Sequence, residues 1–280
     1  MKVSDVDICA FCPRLCRHVC PTAVGSGREA ATPTAMMTGV WAWLSGHVDG
    51  DVAWSNAALC TDCGACTAAC KLDRPVADLL SKARGATAKA PAPPSPPDIE
   101  GDGELVAVET DGRRWAEALA ARLGEPVARM RSPDELGEHL LDHDRALNDH
   151  GRNLRARIGD RTLVIASGGA WRVAQATGLR SRHLQDLAPV PADAAAFRPC
   201  TGPAPDGPGC EDALACCGAA APLPAAHPAI AGEVGRDAAA RLGGEAHVTS
   251  DARCANWLRA HGARVTDPVD HLLATAETPR

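Results

Sequence analysis

CAFCPRLCRHVCP (residues 9–21) and CTDCGACTAAC (residues 60–70) are the stretches whose reading decides how this chain folds. Together they carry eight of its 13 cysteines: Cys9, Cys12, Cys16, Cys20, and Cys60, Cys63, Cys66, Cys70. In each run three thiols lie close together and a fourth lies just beyond. A loop so short lets three sulfurs converge on one small inorganic core, and this spacing wraps a cubane [4Fe–4S] cluster. Its appearance twice predicts two such centres, passing electrons one at a time.

The fourth cysteine of each run leaves on the next chain segment and can reach the other cluster, as it does in two-cluster ferredoxins. Crossed in that way, Cys9, Cys12, Cys16 and Cys70 hold one cluster, and Cys60, Cys63, Cys66 and Cys20 the other. Zinc is the nearest rival, but zinc modules set two Cys pairs ~12–20 residues apart. Pro21 after Cys20 also belongs to the cluster signature. Two features depart from it. Three residues separate Cys12 from Cys16 where two are commoner, and Lys71 stands where proline would follow the second run. Neither removes a ligand.

Met1 to Ile8 has no apolar stretch of the kind that exports a chain, so dense thiols point to metal rather than cystines. A reducing cytoplasm is the expected setting. No apolar run approaches the ~20 residues that span a bilayer, so any place at the inner face of a membrane would come through a partner. The net charge of −6, without a block of Lys or Arg, argues against nucleic acid. With no tyrosine and two phenylalanines, the core buries little aromatic area, and bound clusters would supply much of the stability of the cysteine-rich part.

The 280 residues fit more than one domain, and ATAKAPAPPSPPDIEGDG (86–103) reads as an extended, proline-rich linker. Before it, residues 1–85 form a helical two-cluster domain. Thr34–Leu44, capped at Thr32-Pro33, Asp51–Leu59 and Arg74–Arg84 read as helices, with Trp41, Trp43 and Trp54 as core. After the linker, strands at Glu104–Val108, Pro126–Met130, Thr162–Ala166, Ala246–Thr249 and Ala263–Val265 alternate with helices, one at Trp115–Leu123 and one capped by Ser132. Such alternation predicts an α/β fold with a mostly parallel sheet, and so an α+β multidomain chain.

The other five cysteines are Cys200, Cys210, Cys216, Cys217 and Cys254. Adjacent cysteines serve one core only where the backbone turns sharply, and Gly218 follows them. Pro199-Cys200, Cys216-Cys217-Gly218 and Cys254 at a helix start resemble the cysteine-rich CCG domain of the heterodisulfide reductase catalytic subunit. Joined to the N-terminal module, the architecture is similar to the iron–sulfur subunits of glycolate, lactate and anaerobic glycerol-3-phosphate oxidation. That resemblance makes 191–280 a CCG domain. It makes 104–190 a degenerate, cysteine-free repeat, in which Ser167 and Ala170 stand where Cys-x2-Cys would be. It implies a third cluster on Cys200, Cys216, Cys217 and Cys254, with Asp251 or Cys210 as alternates, because Asp251 replaces one family cysteine.

By the same resemblance the chain is a non-catalytic subunit that relays electrons between a flavin-dependent dehydrogenase, or another redox subunit, and an acceptor. A disulfide or thiol reductase with a catalytic C-terminal cluster is the alternative. The remaining features read as structure. His139 and His143, four apart on an expected helix, lack a third ligand, and His18 reads as surface. Arg14, Arg17, Lys71 and Arg74 flank the ligands and would stabilise reduced clusters, dock an acidic partner or lie solvated.

Overall fold

The structure, a computed structural model, describes residues 1–12, 15–190, 195–197, 199–200, 216–220 and 222–276. It is a mixed α/β chain of two compact units. One comprises Met1–Pro91 with Glu211–Gly243, the other Ala92–Cys210 with Gly244–Arg280. The stretch expected as one domain at 191–280 is thus shared between the units.

The first unit opens with α1 (Val3–Ala10), α2 (Pro21–Ser26), α3 (Pro33–Leu44), α4 (Gly50–Ala57), α5 (Ala65–Ala68) and α6 (Val76–Thr87). Helix α3 starts where expected: the Thr32 hydroxyl accepts from Ala35 N at 3.2 Å, and Pro33 occupies the first turn, where its missing N–H costs nothing. Its buried residues are Met36, Met37 and Val40. Trp41, Trp43 and Trp54, expected as core, are only half-buried. On α6, Val76, Leu79, Leu80, Ala83 and Arg84 form one buried stripe at helical spacing. An arginine thus occupies a core position.

The second unit runs β1 (Ile99–Glu100), β2 (Leu105–Glu109), α7 (Ala116–Leu123), β3 (Val127–Arg131), α8 (Asp144–Ile158), β4 (Thr162–Ile165), α9 (Gly168–Thr177), β5 (Ser181–His183) and β6 (Ala195–Ala196). The chain returns to the first unit as α10 (Leu223–Ala226) and α11 (Pro228–Arg241). It ends in the second with β7 (Ala246–Val248), α12 (Ala252–Ala260), β8 (Arg264–Thr266) and α13 (Pro268–Ala276). One sheet has the order β1-β3-β2-β4-β5, parallel except for β1, and the other is β6-β7-β8, all parallel. Alternation along β2 and β4 sends Val106, Val108, Leu163 and Ile165 into one core and Ala107 and Val164 into another. The turns that lead from β4 into α9 and from β7 into α12 meet directly, Ala252 N donating to Ala166 O at 2.8 Å.

Three further expectations change. The end of the proline-rich linker is strand β1, paired antiparallel with β3. No helix follows Ser132. Its hydroxyl instead accepts from Leu136 N at 2.9 Å, and Glu135 and Leu136 take left-handed backbone angles of φ 57° and 60°. Such angles are unfavourable for these side chains and persist only where surroundings enforce them. His139 therefore lies in a short 3-10 turn and His143 at the N-cap of α8, so they share no helix face.

His183, at the end of β5, is fully buried against Trp171, with ring centroids 5.5 Å apart. Its Nδ1 accepts from Gln185 N at 3.2 Å. Burial lowers its pKa to about 4, against the pull of Asp251 and Asp186. The folded form therefore favours the neutral ring. Its stabilisation is complete above the unfolded value of about 6.5 and is lost as pH falls towards 4, a cost of about 3 kcal/mol. Urea midpoints at pH 7.5 and 4.5 should fall further for the wild type than for His183→Gln; equal falls would refute this.

Candidate metal centres

The crossed quartets are each brought together. Cys9, Cys12, Cys16 and Cys70 line one cavity, closed otherwise by residues such as Ile8, Met37, Leu72 and Val76. Cys20, Cys60, Cys63 and Cys66 line a second, with Met36, Thr61 and Leu80. The cavities are similar in size, about 310 and 300 Å³ with their openings to solvent included. Pro33 borders both, so the first turn of α3 stands between them. The adjacent Met36 and Met37 turn to different cavities because successive helix positions face different ways.

Local backbone directs donors at the sulfurs. Asp62, left-handed at φ 53°, has its N–H 3.3 Å from Cys60 Sγ. After the second run Asp73 is left-handed at φ 49°, and Arg74 N lies 3.5 Å from Cys70 Sγ. Aspartate tolerates this conformation better than most residues. N–H groups aimed at sulfur favour the thiolate form a metal requires.

The two centres differ in their charges. At the first, the Arg74 guanidinium hydrogen-bonds Cys9 and also donates to the backbone carbonyl of Asp5, neither of which is charged while Cys9 is a thiol. At the second, Arg84 is fully buried, donating to Asp62 Oδ2 at 2.6 Å and to Ala57 O at 3.2 Å. Burial also differs: Cys20, Cys60 and Cys66 are buried, against only Cys9 of the first quartet. It pushes the Cys20 thiol up to about 11 and Cys66 to about 12. It raises Cys60 well above the ordinary thiol range, and Cys9 and Cys16 to a lesser degree. Such thiols hold their protons near neutrality until a metal displaces them.

Among the described residues no three His, Cys, Asp or Glu side chains are grouped so as to hold a single metal ion, and no disulfide is formed. The thiols surround their cavities rather than converge on a point. A donor set of four soft thiolates in an apolar wall fits iron–sulfur chemistry and excludes calcium or magnesium.

The C-terminal cysteines divide between the units. Cys216 and Cys217 are buried in the first unit; Cys200, half-buried, and Cys254, buried in the first turn of α12, belong to the second. Cys216 Sγ donates to Thr61 Oγ1 at 3.3 Å and is in hydrogen-bond contact with Cys63. That contact, ahead of burial, raises the Cys63 thiol well above its ordinary range. Asp251, the alternate ligand, caps α12: its Oδ1 accepts from Arg253 N at 2.9 Å and Cys254 N at 3.2 Å. Cys210 and Arg14 lie outside the described residues.

Ser167 and Ala170, where the resemblance would place cysteines, both donate to Glu135. Glu135 stands beside Arg253, which pairs with the buried Glu138. A Cβ on Gly169 would collide with Glu135 Oε2 and meet Arg253 Nη1 at 2.9 Å, so the nook is filled. This network also explains the left-handed Glu135. The other flanking cations are surface groups: Arg17 pairs with Glu29 at 2.7 Å, and Lys71 and His18 are exposed.

The positions of Arg84 and Cys216 were not anticipated from sequence. An arginine on the apolar stripe of α6 is a signal that was present; the approach of Cys216 to Cys63, across 153 positions, left none. Comparison with protein families, curated proteins and solved structures finds no match for this chain.

Proposed function

We propose that this chain is an iron–sulfur electron carrier, holding one [4Fe–4S] cluster on Cys9, Cys12, Cys16 and Cys70 and a second on Cys20, Cys60, Cys63 and Cys66. One observation carries the reading: each cavity is lined by three thiols of one run and the fourth of the other. A cubane in such a site takes up and gives up single electrons. By the resemblance above, the donor is a flavin-dependent dehydrogenase or another redox subunit. No helix of the described residues is long and apolar enough to cross a membrane, so a membrane-bound acceptor would be met through a partner.

The protein groups set the order of filling. Reduction adds one negative charge, which the Arg74 guanidinium stabilises at the first centre. At the second, Asp62 already balances Arg84, and deeper burial disfavours added charge. The first centre should therefore be reduced first.

An anaerobic reductive titration tests the reading and should consume about two electrons per chain, in one-electron steps. No uptake would refute it. Arg74→Gln should lower the potential of the first centre and leave the second unchanged, read by EPR-monitored redox titration. An unmoved first potential, or equal shifts of both, would contradict the assigned role.

A further inference from the structure

We propose that Cys216 is a fifth ligand of the second centre, held in reserve for the position of Cys63. The inference rests on the two-cluster reading. Cys216 is 5% exposed and touches two residues of the second site, donating to Thr61 Oγ1 at 3.3 Å and hydrogen-bonding with Cys63. A fifth thiol thus stands directly behind Cys63, at the margin of a cavity lined by four.

Its placement is built into the fold. Gly218, two residues on, has φ 84°, and a Cβ there would meet Val234 Cγ1 at 2.9 Å and Ala231 O at 3.3 Å. Only glycine lets the segment after Cys217 turn this tightly against α11. Val234 in turn packs on Gly25 of α2, where an added Cβ would lie 2.9 Å from its Cα. Helix α2 begins directly after Cys20, itself a ligand of the same centre. The segment bearing Cys216 is therefore registered to the site through α11 and α2. On the other side Cys63 precedes Gly64, left-handed at φ 75°, which gives its backbone freedom to withdraw.

The exchange balances without a change of oxidation state. The iron–sulfur bond to Cys63 breaks and one to Cys216 forms. The proton leaving the Cys216 thiol passes to the Cys63 thiolate that it already contacts. The centre remains four-coordinate when Cys63 is lost. The thiols that act on Cys60 are Cys63 and Cys66 of the same quartet.

Iron and sulfide per chain in the full-length, anaerobically purified protein test this, with EPR of the reduced state and far-UV circular dichroism as a check of folding. Cys63→Ala, and Cys63→Val, which fills the space without sulfur, should keep the full wild-type iron with an altered line shape of one signal. Cys216→Ala should also keep it. Cys63→Ala with Cys216→Ala, and Cys60→Ala alone, should each lose about half. Loss of iron in both Cys63 variants to the level of Cys60→Ala would overturn the proposal, and so would full iron in the double variant. A wild type without iron would instead remove the two-cluster reading on which it rests.

Discussion

On the proposed two-cluster reading, Cys70→Ala is expected to remove the cluster of Cys9, Cys12 and Cys16, and leave that of Cys60, Cys63 and Cys66, the cysteines of its own run. The cavity lining requires this, since Cys70 borders the first cavity and Cys20 the second. Three remaining thiols close only three corners of a cubane, and metal binding is coupled to folding, so the affected centre should be lost rather than weakened. Iron should fall by about half, and the EPR signal that disappears should be the one lost in Cys12→Ala. Cys20→Ala should abolish the signal lost in Cys66→Ala. If Cys70→Ala and Cys66→Ala abolish the same signal, the crossed arrangement is wrong.

Asp62→Asn will destabilise the first unit by about 3 kcal/mol, because it leaves the Arg84 guanidinium buried without its counter-charge. Asparagine retains an acceptor and tolerates the left-handed backbone at φ 53°. Backbone strain is thus held constant, and the loss reports the charge. Removing one partner of a buried pair is costly, whereas replacing both with apolar groups is often close to neutral. Arg84→Met with Asp62→Ala should therefore unfold at a higher urea concentration than Asp62→Asn. A single variant as stable as the wild type would show that Arg84 is satisfied by Ala57 O and its other contacts alone.

The parts of this fold legible in the sequence are those encoded locally. Thr32-Pro33 marks the start of α3 because cap and first turn lie in adjacent residues. The apolar runs of β2 and β4 read as parallel strands because both faces are covered. The cysteine spacing likewise states which thiols can share a core. What escaped depends on contacts distant in sequence. The turn after Ser132 carries the signals of a helix start, but the Glu135 carboxylate is drawn to Ser167, Ala170 and Arg253, and this overrides them. Asp251 stands where the resemblance would place a cysteine, yet an aspartate before a helix is also a cap, and its Oδ1 accepts two α12 N–H groups. The stretch 191–280 reads as one piece in sequence because no linker-like composition separates Gly243 from Gly244, where the units divide. The small residues Gly25 and Gly218 hold the reason, since each admits Val234 of α11 at close range.

Metal and acid-labile sulfide analysis of the anaerobically purified chain tests the two cubanes proposed on these eight thiols. A brown protein with about eight irons and eight sulfides per chain is expected, reduced by about half in Cys12→Ala and in Cys66→Ala. A colourless protein carrying zinc, with neither iron nor sulfide, would contradict it.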